Sequence, residues 1–317
     1  MGRIFLALLL ILAIFIGFLF LREKNISFVS PTPKVFGITR EAVINKWFPK
    51  NSFLKKSNAS LSQPSLSAKS AIVVDYDTGE LVLQKNQEDQ LPVASTVKIM
   101  TALVALENAK LTDIFTVSEK AAKVGEDSMG LELGEKLTLE ELLYGLMLVS
   151  GNDAAITIAE GVTGSEDAFV KKMNEKTQSL GLKNTNFINA SGLDEDGKTQ
   201  YSTAYDMATI AHYIWENHPE FRKIASTVHE YIDVNSTHKA FDLYNDTNLL
   251  TTYPGVKGIK PGFTWEAGLC LVTYAENDNK KLLAVVLGSD DRRGEMKELL
   301  DYGFGYFGIK VSHPALD

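Results

Sequence analysis

The sequence predicts an α+β fold: one antiparallel sheet built from both ends of a globular domain and flanked by helices, with a mainly helical subdomain inserted between. Three observations predict it. Residues 70–75 (SAIVVD) and 81–84 are short β-rich runs around a turn; residues 139–216 place apolar side chains at helical spacing; from residue 256 the period returns to strands before a closing amphipathic helix. One N-terminal transmembrane helix is expected ahead of this domain.

That helix comes first along the chain. Residues 4–21 are 18 uncharged, almost wholly apolar positions, which at about 1.5 Å per residue span roughly 27 Å, close to a bilayer core. Arg3 precedes the run, and Arg22, Glu23 and Lys24 follow it; because the run is longer than the usual apolar core of a signal peptide and no clean small-x-small site follows, residues 1–24 read as an uncleaved membrane anchor. A cleaved signal peptide is the alternative, and either one exports the remainder. The expected location is therefore the cell membrane, single-pass, with the domain outside the cytoplasm. Residues 25–67 hold four prolines and a cluster of Ser and Asn, which suits a linker. The globular domain is then 68–310, with 311–317 as a tail.

Composition excludes several classes. With 317 residues, 45% of them apolar, the domain can bury a sizeable core; a net charge of −8 without a basic cluster argues against nucleic acid. The single cysteine, Cys270, lies in an apolar run and reads as a core residue. None of the five histidines stands at a ligand spacing, so neither a metal nor a cofactor is expected.

Within the domain, 70–75 and 81–84 form a hairpin around Asp77-Thr78-Gly79. Residues 92–100, PVASTVKIM, then open a helix whose first turn carries Ser95 and Lys98. A spacing of three sets both side chains on one face, where an amine can take the hydroxyl proton as that oxygen attacks a carbonyl. The same spelling at Ser52/Lys55 and Ser236/Lys239 lacks an apolar helix and is assigned to the surface. Helices follow at 139–149, 153–160, 166–180 and 203–216. Between the first two, Ser150-Gly151-Asn152 projects a hydroxyl and a carboxamide from a short junction. Late strands are expected at 256–263, 269–276 and 282–288, the last two joined by Asn277-Asp278-Asn279-Lys280, and a helix at 295–307. On the first late strand, Lys260-Pro261-Gly262-Phe263-Thr264 offers a cation, a glycine that permits close backbone approach, and the Phe263 amide as an oxyanion donor beside that of Ser95.

S-x-x-K, S-x-N and K-x-G, in that order on helix, loop and strand, resemble the penicillin-recognising serine enzymes. The chain most resembles their low-molecular-mass penicillin-binding proteins of the serine-type D-alanyl-D-alanine carboxypeptidase family. The likeness runs over about residues 68–308, through LLYGLMLVSGNDAAITIAE, FINASGL and NDTNLLTTYPGVKGIKPGFTWEAGLCLV. It implies a β-lactamase/DD-peptidase-like fold and removal of the terminal D-alanine from peptidoglycan stem peptides. It also implies a Ser95 acyl-enzyme, Lys98 as base, Ser150 as proton relay, Asn152 orienting the substrate amide, and inhibition by β-lactam antibiotics.

Three departures qualify the resemblance. Pro261 stands where the family usually has the threonine of K-T-G, which leaves the substrate's terminal carboxylate to Thr264 and to a cation, Arg292 first and Arg293 close behind. The chain stops soon after the catalytic part, so the N-terminal helix is expected to provide the anchor. No E-x-x-L-N segment is present, which disfavours β-lactamase activity. The alternatives are a catalytically impaired, membrane-anchored peptidoglycan-binding protein and a D,D-endopeptidase.

Overall fold

The computed structural model describes residues 47–50, 61–195, 197–198 and 200–313. The expected transmembrane helix, residues 25–46 and 51–60 of the expected linker and with them the Ser52/Lys55 match lie outside them, and among the described residues no helix is long and apolar enough to cross a membrane.

A five-stranded antiparallel sheet has the order β2-β1-β9-β8-β7, from β1 (Ser70–Asp75), β2 (Leu81–Lys85), β7 (Val256–Thr264), β8 (Gly268–Asn277) and β9 (Lys280–Ser289). Early and late segments meet where Ser70 pairs with Leu287 and Asp75 with Leu282. Side chains alternate across the sheet. Ile72, Val74 and Val285 face the helical block, whereas Ala71, Val73 and Val286 face a second core built on Leu299, Leu300 and Phe304 of the C-terminal helix Arg292–Tyr306. Both faces are covered, which is why all six residues of β1 are buried.

Local chemistry sets the element ends. Asp75 Oδ1 accepts from the Asp77 and Thr78 amides and so folds the first hairpin. Asp278 and Asn279 take φ of 47° and 59°, the left-handed conformation of a two-residue hairpin loop, as expected for that turn. Thr138 and Glu141 form a capping box ahead of the helix Leu139–Leu148; Ser165 and Thr203 cap Glu166–Ser179 and Ala204–Asn217. Asp291 caps Arg292–Tyr306, which begins three residues before the periodicity indicates because its first turn is polar.

Two small sheets, β3 (Ile114–Thr116) with β4 (Lys136–Thr138) and β5 (His229–Ile232) with β6 (Phe241–Tyr244), and the short helices Glu119–Lys123, Pro219–Ala225 and Leu249–Thr252 have no counterpart in the sequence pattern. Strands of three or four residues are too short to display a period. The domain also reaches beyond 68–310. Trp47 stacks on His212 with centroids 3.9 Å apart, Lys50 bonds in both directions to the first hairpin turn, and Leu61, Leu66 and Val311 pack on the second core. Described parts of the expected linker and tail are thus packed, because their few apolar side chains find sites on the domain.

Candidate active site

The strand β7 is the outer strand of the sheet, pairing among the described residues only with β8, and Pro261 is tolerated on such an edge. Lys260 and Gly262 lie two residues apart and so share a face. That face meets a 3-10 turn, Ala94–Val97, which leads into the helix Lys98–Asn108. A Cβ on Gly262 would stand 2.9 Å from the Ser95 amide nitrogen and 3.1 Å from that of Thr96, so only glycine lets the strand press against the turn. The Thr96 hydroxyl donates to the Val93 carbonyl at 2.6 Å and fixes the turn from inside.

Ser95, 9% exposed, opens to the cleft, whereas Lys98 is wholly buried. Lys98 Nζ lies 2.8 Å from Ser95 Oγ, 2.8 Å from Asn152 Oδ1 and 2.6 Å from the Ser191 carbonyl oxygen. Burial pushes the Lys98 ammonium well below the usual lysine range, and the charge of Lys260 pushes it further; Asp127, Asp246 and Asp153 oppose this. A neutral Lys98 has two N–H groups, which the Asn152 amide oxygen and the Ser191 carbonyl can accept. Its lone pair is then left for the Ser95 hydroxyl.

Asn152 opens the helix Asn152–Thr163, and its Nδ2 donates to the Gly125 carbonyl at 3.1 Å. Ser150, two residues earlier, has φ of 59°; its hydroxyl is buried and has no hydrogen-bond partner among the described residues. Lys260 is also wholly buried, with Nζ 3.3 Å from each oxygen of Asp246. Burial lowers its pKa while Asp246 opposes the shift, so of the two lysines Lys98 is the readier to be neutral.

The structure therefore brings Ser95, Lys98 and Asn152 into direct contact, with Gly262 against the nucleophile turn. The remaining expected positions are engaged differently. Thr264 Oγ1 donates to Asp194 Oδ1 at 3.0 Å and accepts from the Ala267 amide, and Arg292 Nη1 donates to the Gly262 carbonyl at 2.7 Å. Both side chains brace β7. Phe263 is 45% exposed and meets the edge of Trp265, itself 92% exposed. Ser236, of the decoy match, is on the surface, and Lys239 pairs with Glu132. Cys270 is buried in β8 opposite Gly262, and burial pushes its thiol up to about 11.

Sequence reasoning missed three participants. Ser191 contributes a backbone oxygen, which no side-chain motif displays. Asp246 lies within the quoted NDTN run but reads there as a turn residue. Asp153 accepts from the amides of Met129, Gly130 and Leu131 and from the Ser128 hydroxyl, tying residues 128–131 to the helix beside Asn152.

A buried lysine against a serine hydroxyl, at the meeting of an antiparallel sheet and a helical block, defines a serine hydrolase working by acyl transfer with a lysine base. The family described as D-alanyl-D-alanine carboxypeptidase (Peptidase_S11) matches residues 57–291, and the chain belongs to it. D-alanyl-D-alanine carboxypeptidase DacF of Bacillus subtilis is 40% identical over 275 residues, 84% of this chain and 69% of that protein. DacA of Haemophilus influenzae is 36% identical over 260 residues, 78% of this chain and 64% of its own length. Among solved structures, the Streptomyces K15 DD-transpeptidase superposes with a TM-score of 0.72 at 30% identity, covering 77% of this chain and all of that one.

Proposed function

We propose that the chain is a serine-type D-Ala-D-Ala carboxypeptidase acting on peptidoglycan stem peptides. One observation carries the reading: the Lys98 amine is buried, with two fixed acceptors behind it and Ser95 Oγ 2.8 Å in front. Ser95 Oγ attacks the carbonyl between the two D-alanines and its proton passes to Lys98 Nζ. The C–N bond breaks, and the leaving amine takes a proton from Lys98 through the unpartnered Ser150 hydroxyl. Water then attacks the ester, gives a proton to Lys98, and Ser95 leaves with its hydroxyl restored. The Ser95 and Phe263 amides receive the oxyanion, and the Lys260 cation orients the substrate.

Because β-lactams imitate the D-Ala-D-Ala unit, they acylate Ser95. Membrane attachment through residues 4–21, with the domain outside the cytoplasm, fits that substrate and is supported by the length of the apolar run. Release of D-alanine from an acylated D-Ala-D-Ala peptide, its loss in Ser95→Ala, and a penicillin adduct by intact mass test the reaction. An unmodified wild-type mass after penicillin exposure would defeat it. Membrane fractionation of the full chain tests the location.

A further inference from the structure

A cavity of about 310 Å³ adjoins the catalytic cleft at Asp246, a residue that lines the cavity and whose carboxylate faces Lys260. Clefts that hold small ligands measure about 300–1,000 Å³, so this one suits a single charged group of a larger molecule. Val228, just before β5, and Tyr244, the last residue of β6, flank it and are 45% and 61% exposed; Thr247 lies in the turn that follows, and Arg293 lines it from the C-terminal helix.

Its charges are unevenly satisfied. Both Asp246 oxygens face Lys260, so that carboxylate is compensated from within the protein. Arg293 is exposed and makes no hydrogen bond or ion pair among the described residues, in contrast to Arg292, which is held on the Gly262 carbonyl. Thr247 is 2% exposed, and its hydroxyl is buried without a hydrogen-bond partner among the described residues. A buried unpartnered hydroxyl is costly, and the group that satisfies it together with a free guanidinium is a carboxylate.

We propose that this cavity is a subsite for a second carboxylate, carried by the peptide substrate outside its scissile D-Ala-D-Ala unit and held by Arg293 and the Thr247 hydroxyl. The proposal rests on the carboxypeptidase reading, since Asp246 stands between the cavity and Lys260. It divides the labour of two adjacent arginines: Arg292 braces the strand that docks the scissile unit, and Arg293 reads what surrounds that unit.

The test uses the Ser95→Ala protein, which leaves substrate intact, and titration calorimetry with two Glu/Gln pairs of acetylated peptides ending in D-Ala-D-Ala. They carry Glu or Gln at either of the two preceding positions, so the terminal carboxylate is constant and only the second one varies. At one of those positions the Glu peptide is expected to bind about tenfold tighter, as a charge-assisted contact implies. Adding Arg293→Gln should remove the difference while leaving the Gln peptide unchanged, and Thr247→Val should reduce it. No preference for Glu at either position, or a preference that survives Arg293→Gln, overturns the subsite. Equal loss on both peptides assigns Arg293 to the terminal carboxylate and overturns it too. If neither peptide binds and wild type releases no D-alanine from them, the carboxypeptidase reading falls, and the subsite with it.

Discussion

Lys98 Nζ stands 2.8 Å from Ser95 Oγ although the two side chains spring from different kinds of helix, the serine from a 3-10 turn and the lysine from the first position of the α-helix that continues it. The change of pitch falls between nucleophile and base. Replacing Lys98 by Met keeps the volume and removes the amine. Acylation by penicillin and D-alanine release should both fall by a factor of about 10²–10⁴, the usual weight of a positioned base. Stopped-flow acylation checks this.

The same buried amine sets two pH dependences. Acylation should rise with pH through a Lys98 pKa well below the ordinary lysine value, and decline at higher pH as Lys260 loses its charge. Stability should begin to rise where that first limb levels off. Because the folded pKa of Lys98 is lowered, the unfolded chain binds more protons between the folded and unfolded values, and stability rises with pH across that window. Lys98→Met should flatten the rise, as read from denaturant midpoints at a series of pH values.

Asn189 should act as a positioning residue. Its Oδ1 accepts from the Gly192 amide at 2.7 Å and its Nδ2 donates to the Leu193 carbonyl at 2.9 Å, which holds the turn that aims the Ser191 carbonyl at Lys98. Asn189→Ala should lower kcat roughly ten- to hundredfold, through misplacement rather than lost contact, and shift the acid limb of the pH profile. An unshifted profile would mark the role as structural only.

Gly262→Ala should separate β7 from the nucleophile turn, because the added methyl meets backbone nitrogen rather than a yielding side chain. A cost of about 1–3 kcal/mol is expected for such overpacking, with acylation reduced at least in proportion. Pro261→Thr, at the neighbouring position on the edge strand, should instead restore a hydroxyl to the cleft and lower KM with little change in kcat. Thermal melts and steady-state kinetics of the two variants separate these outcomes.

His212 supplies an acid-side test away from the site. Burial lowers its pKa to about 4, and its ring is stacked on Trp47 and tilted against Tyr76. A folded value below the unfolded one means that stability is complete above the unfolded pKa of about 6.5 and is lost as pH falls towards 4. His212→Phe should keep the stack and blunt that loss between pH 6.5 and 4 in thermal melts.

Much was legible in the residues themselves. Helical spacing in 166–180 and 203–216, the β-rich runs and the Asn277–Lys280 loop specify elements through local periodicity and turn chemistry, which depend only on near neighbours. Serine, lysine, asparagine and glycine in fixed short spacings likewise announce acyl transfer, because each spacing is a local geometric statement. Tertiary structure alone decided which acceptors hold the Lys98 amine, that Asp246 faces Lys260, that Thr264 and Arg292 brace β7, and that Trp47–Lys50 belongs to the domain. Those are contacts between segments tens of residues or more apart, made by backbone carbonyls and by burial, and neither a carbonyl's direction nor a side chain's depth has any signature in the order of the residues.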